Sequence, residues 1–120
     1  MKRILVVNDG TYVRSLLEQT LKRKDYEIQA GTGKDVLSIS RKERPDLILM
    51  DLRIPGGLDE IKAMRMLKSD VRTKQLKVII LTSSGNLRDE AMDAGADAYL
   101  YKPFSPMELL QKVDELMGEI

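Results

Sequence analysis

The chain has no cysteine and no histidine among its 120 residues. Without cysteine there is no disulfide framework, no thiol nucleophile and no thiolate metal site. Without histidine the commonest general base and the commonest transition-metal ligand are missing. That excludes Ser-His-Asp hydrolysis, histidine-based zinc sites and histidine phosphocarriers as self-contained activities. Long apolar runs are lacking too: residues 4–7 and 47–50 are far too short to span a bilayer, and Met1-Lys2-Arg3 leads into the first of them without an apolar leader. Nor does one sign of charge dominate, because 20 Lys+Arg and 19 Asp+Glu are interspersed and leave +1, which gives no field for nucleic acid or membrane. These absences describe a cytoplasmic protein that binds neither directly. What remains for chemistry is carboxylate, lysine, hydroxyl and backbone.

A chain of this length forms one domain and buries roughly two thirds of the surface its unfolded form exposes. Five short apolar runs, at 2–7, 26–30, 47–50, 78–81 and 98–101, alternate with segments of helical period. Val13, Leu16, Leu17 and Leu21 share one helix face, as do Ile61, Met64 and Leu67. A last helix carries Leu109, Leu110, Val113, Leu116 and Met117, with Ser105 as its N-cap and Pro106 as its first residue. Helices are also expected at about 34–43 and 87–94. Strands alternating with helices make βαβ units, so the expected fold is α/β, a flavodoxin-like doubly wound (βα)5 sandwich around a five-stranded parallel sheet of order 2-1-3-4-5. The first, third and fourth runs are apolar nearly throughout, as central strands are, while the second and fifth carry polar residues. No repeat, low-complexity segment or linker interrupts the chain, so residues 1–120 are expected to form a single domain with no output domain attached.

Ligands of such sheets sit at the carboxyl ends of the strands. There the sequence has Asn8-Asp9 after the first run, Asp51 after the third, Thr82-Ser83-Ser84 after the fourth and Lys102-Pro103 after the fifth. In the order 2-1-3-4-5 these four strands are consecutive neighbours about 4.8 Å apart, so two carboxylates, a hydroxyl and an ammonium can converge. The second run, which falls outside that cluster, ends in Ala30-Gly31 and offers no such group. Neighbouring carboxylates repel unless a cation joins them. A hard cation, Mg²⁺ or Mn²⁺, suits Asp9, Asp51 and a carbonyl such as that of Arg53, and keeps positions open for phosphate oxygens. Asp51 then becomes a candidate nucleophile toward phosphorus, with Lys102 and Thr82 as candidates for holding phosphoryl oxygens.

The stretches ILVVND (4–9), RPDLILMDLRIPG (44–56), KVIILTSS (77–84) and AGADAYLYKPF (94–104) resemble the acidic pair, phosphoacceptor strand, switch hydroxyl and Lys-Pro-Phe signature of response regulator receiver domains, above all the single-domain, chemotaxis-regulator-like kind. The resemblance covers essentially the whole chain. It implies metal-dependent phosphotransfer to Asp51 from a phosphohistidine of a sensor histidine kinase or phosphotransfer protein, a cis Lys102-Pro103 bond, and reorientation of Thr82 and Tyr99 that alters binding of a downstream target protein. It further implies a monomer or weak dimer whose chemistry is self-catalysed phosphotransfer and autodephosphorylation, not an enzyme with an external substrate. Three departures stand out. Asn8 replaces one acid of the metal shell, the loop after Pro55 reads Gly56-Gly57-Leu58-Asp59-Glu60, and Thr82 and Lys102 are somewhat closer in sequence than in the family.

Other readings account for less of the chain. Gly31-Thr-Gly33-Lys34 has Ile28 and Asp35 where a Walker A loop needs glycine and Ser/Thr, and Val36 where a dinucleotide loop needs glycine, so it reads as a turn. A flavodoxin-like FMN protein would meet the Asp9 carboxylate where phosphate sits, and a small aspartyl-phosphate phosphatase wants an aspartate at the position of Arg53. A receiver that acts unphosphorylated as a constitutive interaction domain is the alternative that Asn8 invites. Ser83 and Ser84 read as loop residues, with Ser84 and Arg53 flanking the site where phosphoryl lifetime is set. Tyr101 reads as an exposed edge residue or as an extension of a docking patch with Tyr99. The seven methionines, Met64, Met66, Met107 and Met117 among them, read mostly as core filler.

Overall fold

The apolar runs extend as strands because β-branched and leucine side chains fill both faces of a pleated sheet covered on each side. In the computed structural model, which describes residues 2–7, 15, 18, 19, 26–31, 35–52 and 58–118, they are β1 (Arg3–Val7), β2 (Glu27–Gly31), β3 (Leu47–Asp51), β4 (Lys77–Thr82) and β5 (Ala98–Tyr101). All four pairings are parallel and the order is β2-β1-β3-β4-β5, the flavodoxin-like arrangement expected. Four helices lie among the described residues: α1 (Val36–Glu43), α2 (Leu58–Ser69), α3 (Gly85–Asp93) and α4 (Pro106–Met117). Of the helix expected around 13–21, Ser15, Glu18 and Gln19 are helical and the rest falls outside the described residues. Asp51 and Thr82, expected just past their strands, are instead the last residues of β3 and β4.

Alternate residues of each strand face opposite ways, and two apolar layers result. On one face Leu5, Val7, Ile48, Met50, Val78 and Ile80 pack against α1, α2 and α3 through Val36, Ile61, Met64, Leu67 and Ala91. On the other, Ile4, Val6, Leu47, Leu49, Ile79 and Leu81 pack against Leu109 and Val113 of α4. Full burial of each large aliphatic side chain contributes about 1.5–3 kcal/mol. The methionine expectation needs correcting. Met64 is buried and Met117 packs at the margin of the second layer, but Met66 and Met107 are exposed. Each stands two residues from a buried neighbour, Met64 or Leu109, which on a helix is about 200° around the axis.

Local chemistry sets the helix ends. Ser105 accepts from the Glu108 N–H at 3.1 Å while the Glu108 carboxylate accepts from the Ser105 N–H at 3.1 Å, a capping box with Pro106 inside it. Arg44 ends α1 in the left-handed region at φ 48°, and its N–H donates to Ser40 O. Its neighbours Arg41 and Lys42 lie exposed in the last turn of α1, where cations complement the dipole. Charged pairs tie down the amino ends of the strands. The Arg3 N–H donates to Asp46 Oδ2 at 2.9 Å, and the Arg3 guanidinium reaches Glu27 at 3.2 Å and the Glu43 carbonyl at 2.9 Å. Below β4 and β5, Asp97 Oδ2 accepts both from Lys68 Nζ and from the Val78 N–H at 2.8 Å. Among the described residues no helix is long and apolar enough to cross a membrane.

Candidate functional site at the strand ends

Backbone pairing fixes where the candidate side chains begin. Asp51 stands opposite Leu81 in the β3–β4 register, and the Leu52 N–H continues that ladder to Leu81 O at 2.8 Å. One residue beyond β5, the Lys102 N–H donates to Thr82 O at 2.9 Å. Asp51, Thr82 and Lys102 therefore close three adjacent strands at one rim. The Lys102-Pro103 bond that follows is cis, as the resemblance implied.

The Lys102 side chain crosses over β4 so that its ammonium pairs with Asp51 Oδ1. Asp51 is only 6% exposed, and beyond that ion pair Oδ1 has no hydrogen-bond partner among the described residues. A charge withdrawn from water is tolerated only with such compensation. Thr82 is fully buried, and its Oγ1 accepts from the Ser84 N–H at 3.0 Å. The same hydroxyl donates to Ser84 O in a long contact of 3.5 Å, so both of its described hydrogen bonds are to the Ser84 backbone. Ser84, which the sequence places in the loop beside the site, is the N-cap of α3, where its Oγ accepts from the Leu87 N–H at 3.2 Å.

Of the metal candidates, Asp51 alone lies among the described residues. A buried carboxylate whose Oδ1 is held by the Lys102 ammonium and, among the described residues, by no hydrogen bond is a donor that suits a hard cation. Asn8, Asp9 and Arg53 lie outside the described residues; β1 ends at Val7, which pairs with Met50 immediately before Asp51. Among the described residues no cluster of three or more acidic side chains converges.

Tyr99 and Tyr101 alternate with buried Ala98 and Leu100, so strand periodicity turns both rings outward, at 36% and 41% exposure. The rings meet edge to face, with centroids 5.3 Å apart and planes at 68°. Over both lies Arg88 of α3, its guanidinium 5.2 Å from the Tyr99 centroid and 5.5 Å from that of Tyr101. Nη2 and Nε of Arg88 donate to Asp89 Oδ1 at 2.7 and 2.9 Å, and that carboxylate holds the guanidinium above its ordinary basicity. Arg88 was not singled out from sequence, since nothing local connects it to a tyrosine on another element. Below the tyrosines a groove of about 480 Å³ runs along β5, bounded by Met92 of α3 and by Glu108 and Lys112 of α4.

Known proteins resemble the chain in sequence and in fold. The chain is 35% identical over 97% of its length to sporulation initiation phosphotransferase F of Bacillus subtilis, of which it covers 94%. It is 32% identical to the phosphate regulon transcriptional regulatory protein PhoB of Klebsiella pneumoniae, but spans only 53% of that protein. Among solved structures, the receiver domain of a sensor histidine kinase from Pseudomonas aeruginosa PAO1 superposes with a TM-score of 0.85 at 27% identity, over 98% of each chain, and carries a magnesium ion coordinated in its active site cleft. Residues 4–114 match the response regulator receiver domain family, and with its parallel sheet and its acid and lysine at adjoining strand ends the chain belongs to that family, the phosphoryl-accepting signalling domains of two-component systems.

Proposed function

We propose that Asp51 is the phosphoacceptor of this receiver and that phosphorylation there changes the surface around Tyr99 for a downstream protein. The observation that carries this reading is the buried Asp51 carboxylate held by Lys102 at the end of β3. The donor is a phosphohistidine of a sensor histidine kinase or phosphotransfer protein. An Asp51 oxygen forms a bond to phosphorus as the donor's P–N bond breaks, and the electron pair of that bond leaves on the imidazole nitrogen, which takes up a proton. Lys102, released from the carboxylate oxygen it now holds, pairs with a phosphoryl oxygen. Thr82 donates its hydroxyl proton to another. Mg²⁺ or Mn²⁺ held by Asp51, Asp9, the Arg53 carbonyl and, through its amide oxygen, Asn8 would neutralise charge on the transferred group. Hydrolysis of the acyl phosphate resets the switch, so the chemistry is self-catalysed.

Intact-mass measurement after incubation with acetyl phosphate tests the assignment. Wild type gains one phosphoryl group only when Mg²⁺ is present, and Asp51→Asn gains none. Equal labelling of Asp51→Asn would remove Asp51 from the role.

A further inference from the structure

Resting on the switch reading of Asp51, Thr82 and Tyr99, we propose that Arg88 is a positioning residue that clamps Tyr99 and Tyr101 outward in the resting protein, and that Thr82 releases this clamp through Ser84. Both halves of the device are present in hydrogen bonds and ring contacts. Tyr99 is held twice, by the edge of the Tyr101 ring and by the Arg88 guanidinium, and Tyr101 is held by the same cation. Asp89 fixes the guanidinium from the solvent side through two hydrogen bonds to one oxygen. An inward turn of Tyr99 must therefore break a cation–π contact and an aromatic pair together.

The link to the site is short. Thr82 Oγ1 accepts from the Ser84 N–H, and Ser84 O in turn accepts from the Arg88 N–H at 3.0 Å, the first turn of α3. A Thr82 hydroxyl drawn toward a phosphoryl oxygen gives up the Ser84 N–H, which loosens the residue that caps α3 and sets where Arg88 stands. Arg88 thus biases a two-state element on which phosphorylation also acts. Removing it leaves Asp51, Lys102 and Thr82 untouched but makes the active arrangement easier to reach. When the competent state is the minor one, apparent ligand affinity rises in proportion to its population.

The test uses the full chain with fluorotyrosine incorporated, its ¹⁹F resonances assigned by single Tyr→Phe changes, and titration with beryllofluoride in saturating Mg²⁺. In Arg88→Ala the Tyr99 and Tyr101 resonances both shift before any beryllofluoride is added while the Tyr26 resonance stays, and the apparent affinity for beryllofluoride rises about fivefold, the strength of one partly exposed cation–π contact. Arg88→Lys, which keeps the charge without the planar face, falls between Arg88→Ala and wild type. A merely structural arginine would lower the melting temperature without tightening beryllofluoride binding, and that result overturns the clamp. A wild type that responds to beryllofluoride beside an Arg88→Ala of unchanged affinity also overturns the clamp and spares the site. A wild type that gives no response in Mg²⁺ overturns the site and the clamp together.

Discussion

At the scale of single residues, the Asp51–Lys102 pair concentrates the problem that any buried acid poses: the charge must be compensated at rest and yet be free to react. Lys102 compensates the charge at rest, and on the proposed reading its ammonium moves from the carboxylate oxygen to a phosphoryl oxygen without changing its own charge. Lys102→Ala is expected to slow labelling by acetyl phosphate by about 100-fold, as loss of a charge-stabilising donor does elsewhere, with the rate read by intact mass. Thr82→Ala is expected to separate chemistry from signal: it still labels at Asp51 by intact mass, while the tyrosine fluorescence change expected on labelling of wild type is lost. It also removes the acceptor for the Ser84 N–H, a hydrogen bond worth about 1 kcal/mol. These three residues were legible in the sequence because a parallel sheet brings the residues at its strand ends into one row. Arg88 was not, since its partners lie on another element and only the fold brings guanidinium and rings together.

At the scale of elements, the clearest local signal was Ser105-Pro106, and the capping box at α4 realises it. Ser105→Ala is expected to lower stability by about 1 kcal/mol in urea denaturation, with labelling at Asp51 unchanged. Less visible in advance was the tie between α1 and the end of α2. Asp70 accepts from the Arg72 N–H at 2.9 Å and pairs with the Arg72 guanidinium at 3.2 Å and with Arg41 at 2.7 Å. Together, led by the Arg72 backbone N–H, these hold its carboxyl far below the usual carboxylate range. A depressed carboxyl contributes stability above its unfolded value and loses it only as pH falls through the folded one. The melting temperature of Asp70→Asn should therefore lie slightly below wild type from neutral pH down to the ordinary carboxylate range, with the gap closing only in strong acid. Because both arginines are exposed, high salt should shrink that gap. Strand limits were read to within a residue at most ends, and the residual error was physical: Asp51 and Thr82 keep their ladder positions because the neighbouring backbone still offers partners there.

For the whole molecule, strand order followed from connection rules and from which runs were apolar throughout, whereas the partition of the core into two layers needed the register. Leu49 is fully buried at the centre of the layer under α4, and Leu49→Ala is expected to cost about 2–5 kcal/mol, measured as a lower urea midpoint. The two ends of the sheet differ in how they are held. At the amino ends, Arg3 joins Asp46, Glu27 and Glu43, and Asp97 joins Lys68 to the first residues of β4, all through backbone or charged contacts. At the carboxyl ends, the described contacts include the Asp51–Lys102 pair and the bond from the Ser84 N–H to Thr82 Oγ1, which on the proposed reading a phosphoryl group would exchange. Among the described residues, one end of the sheet is thus tied by charged pairs and the other by contacts of the candidate site. On the proposed reading, a change at Asp51 meets a sheet tied at its amino ends and passes along the rim, from Thr82 through Ser84 to α3 and the tyrosines of β5.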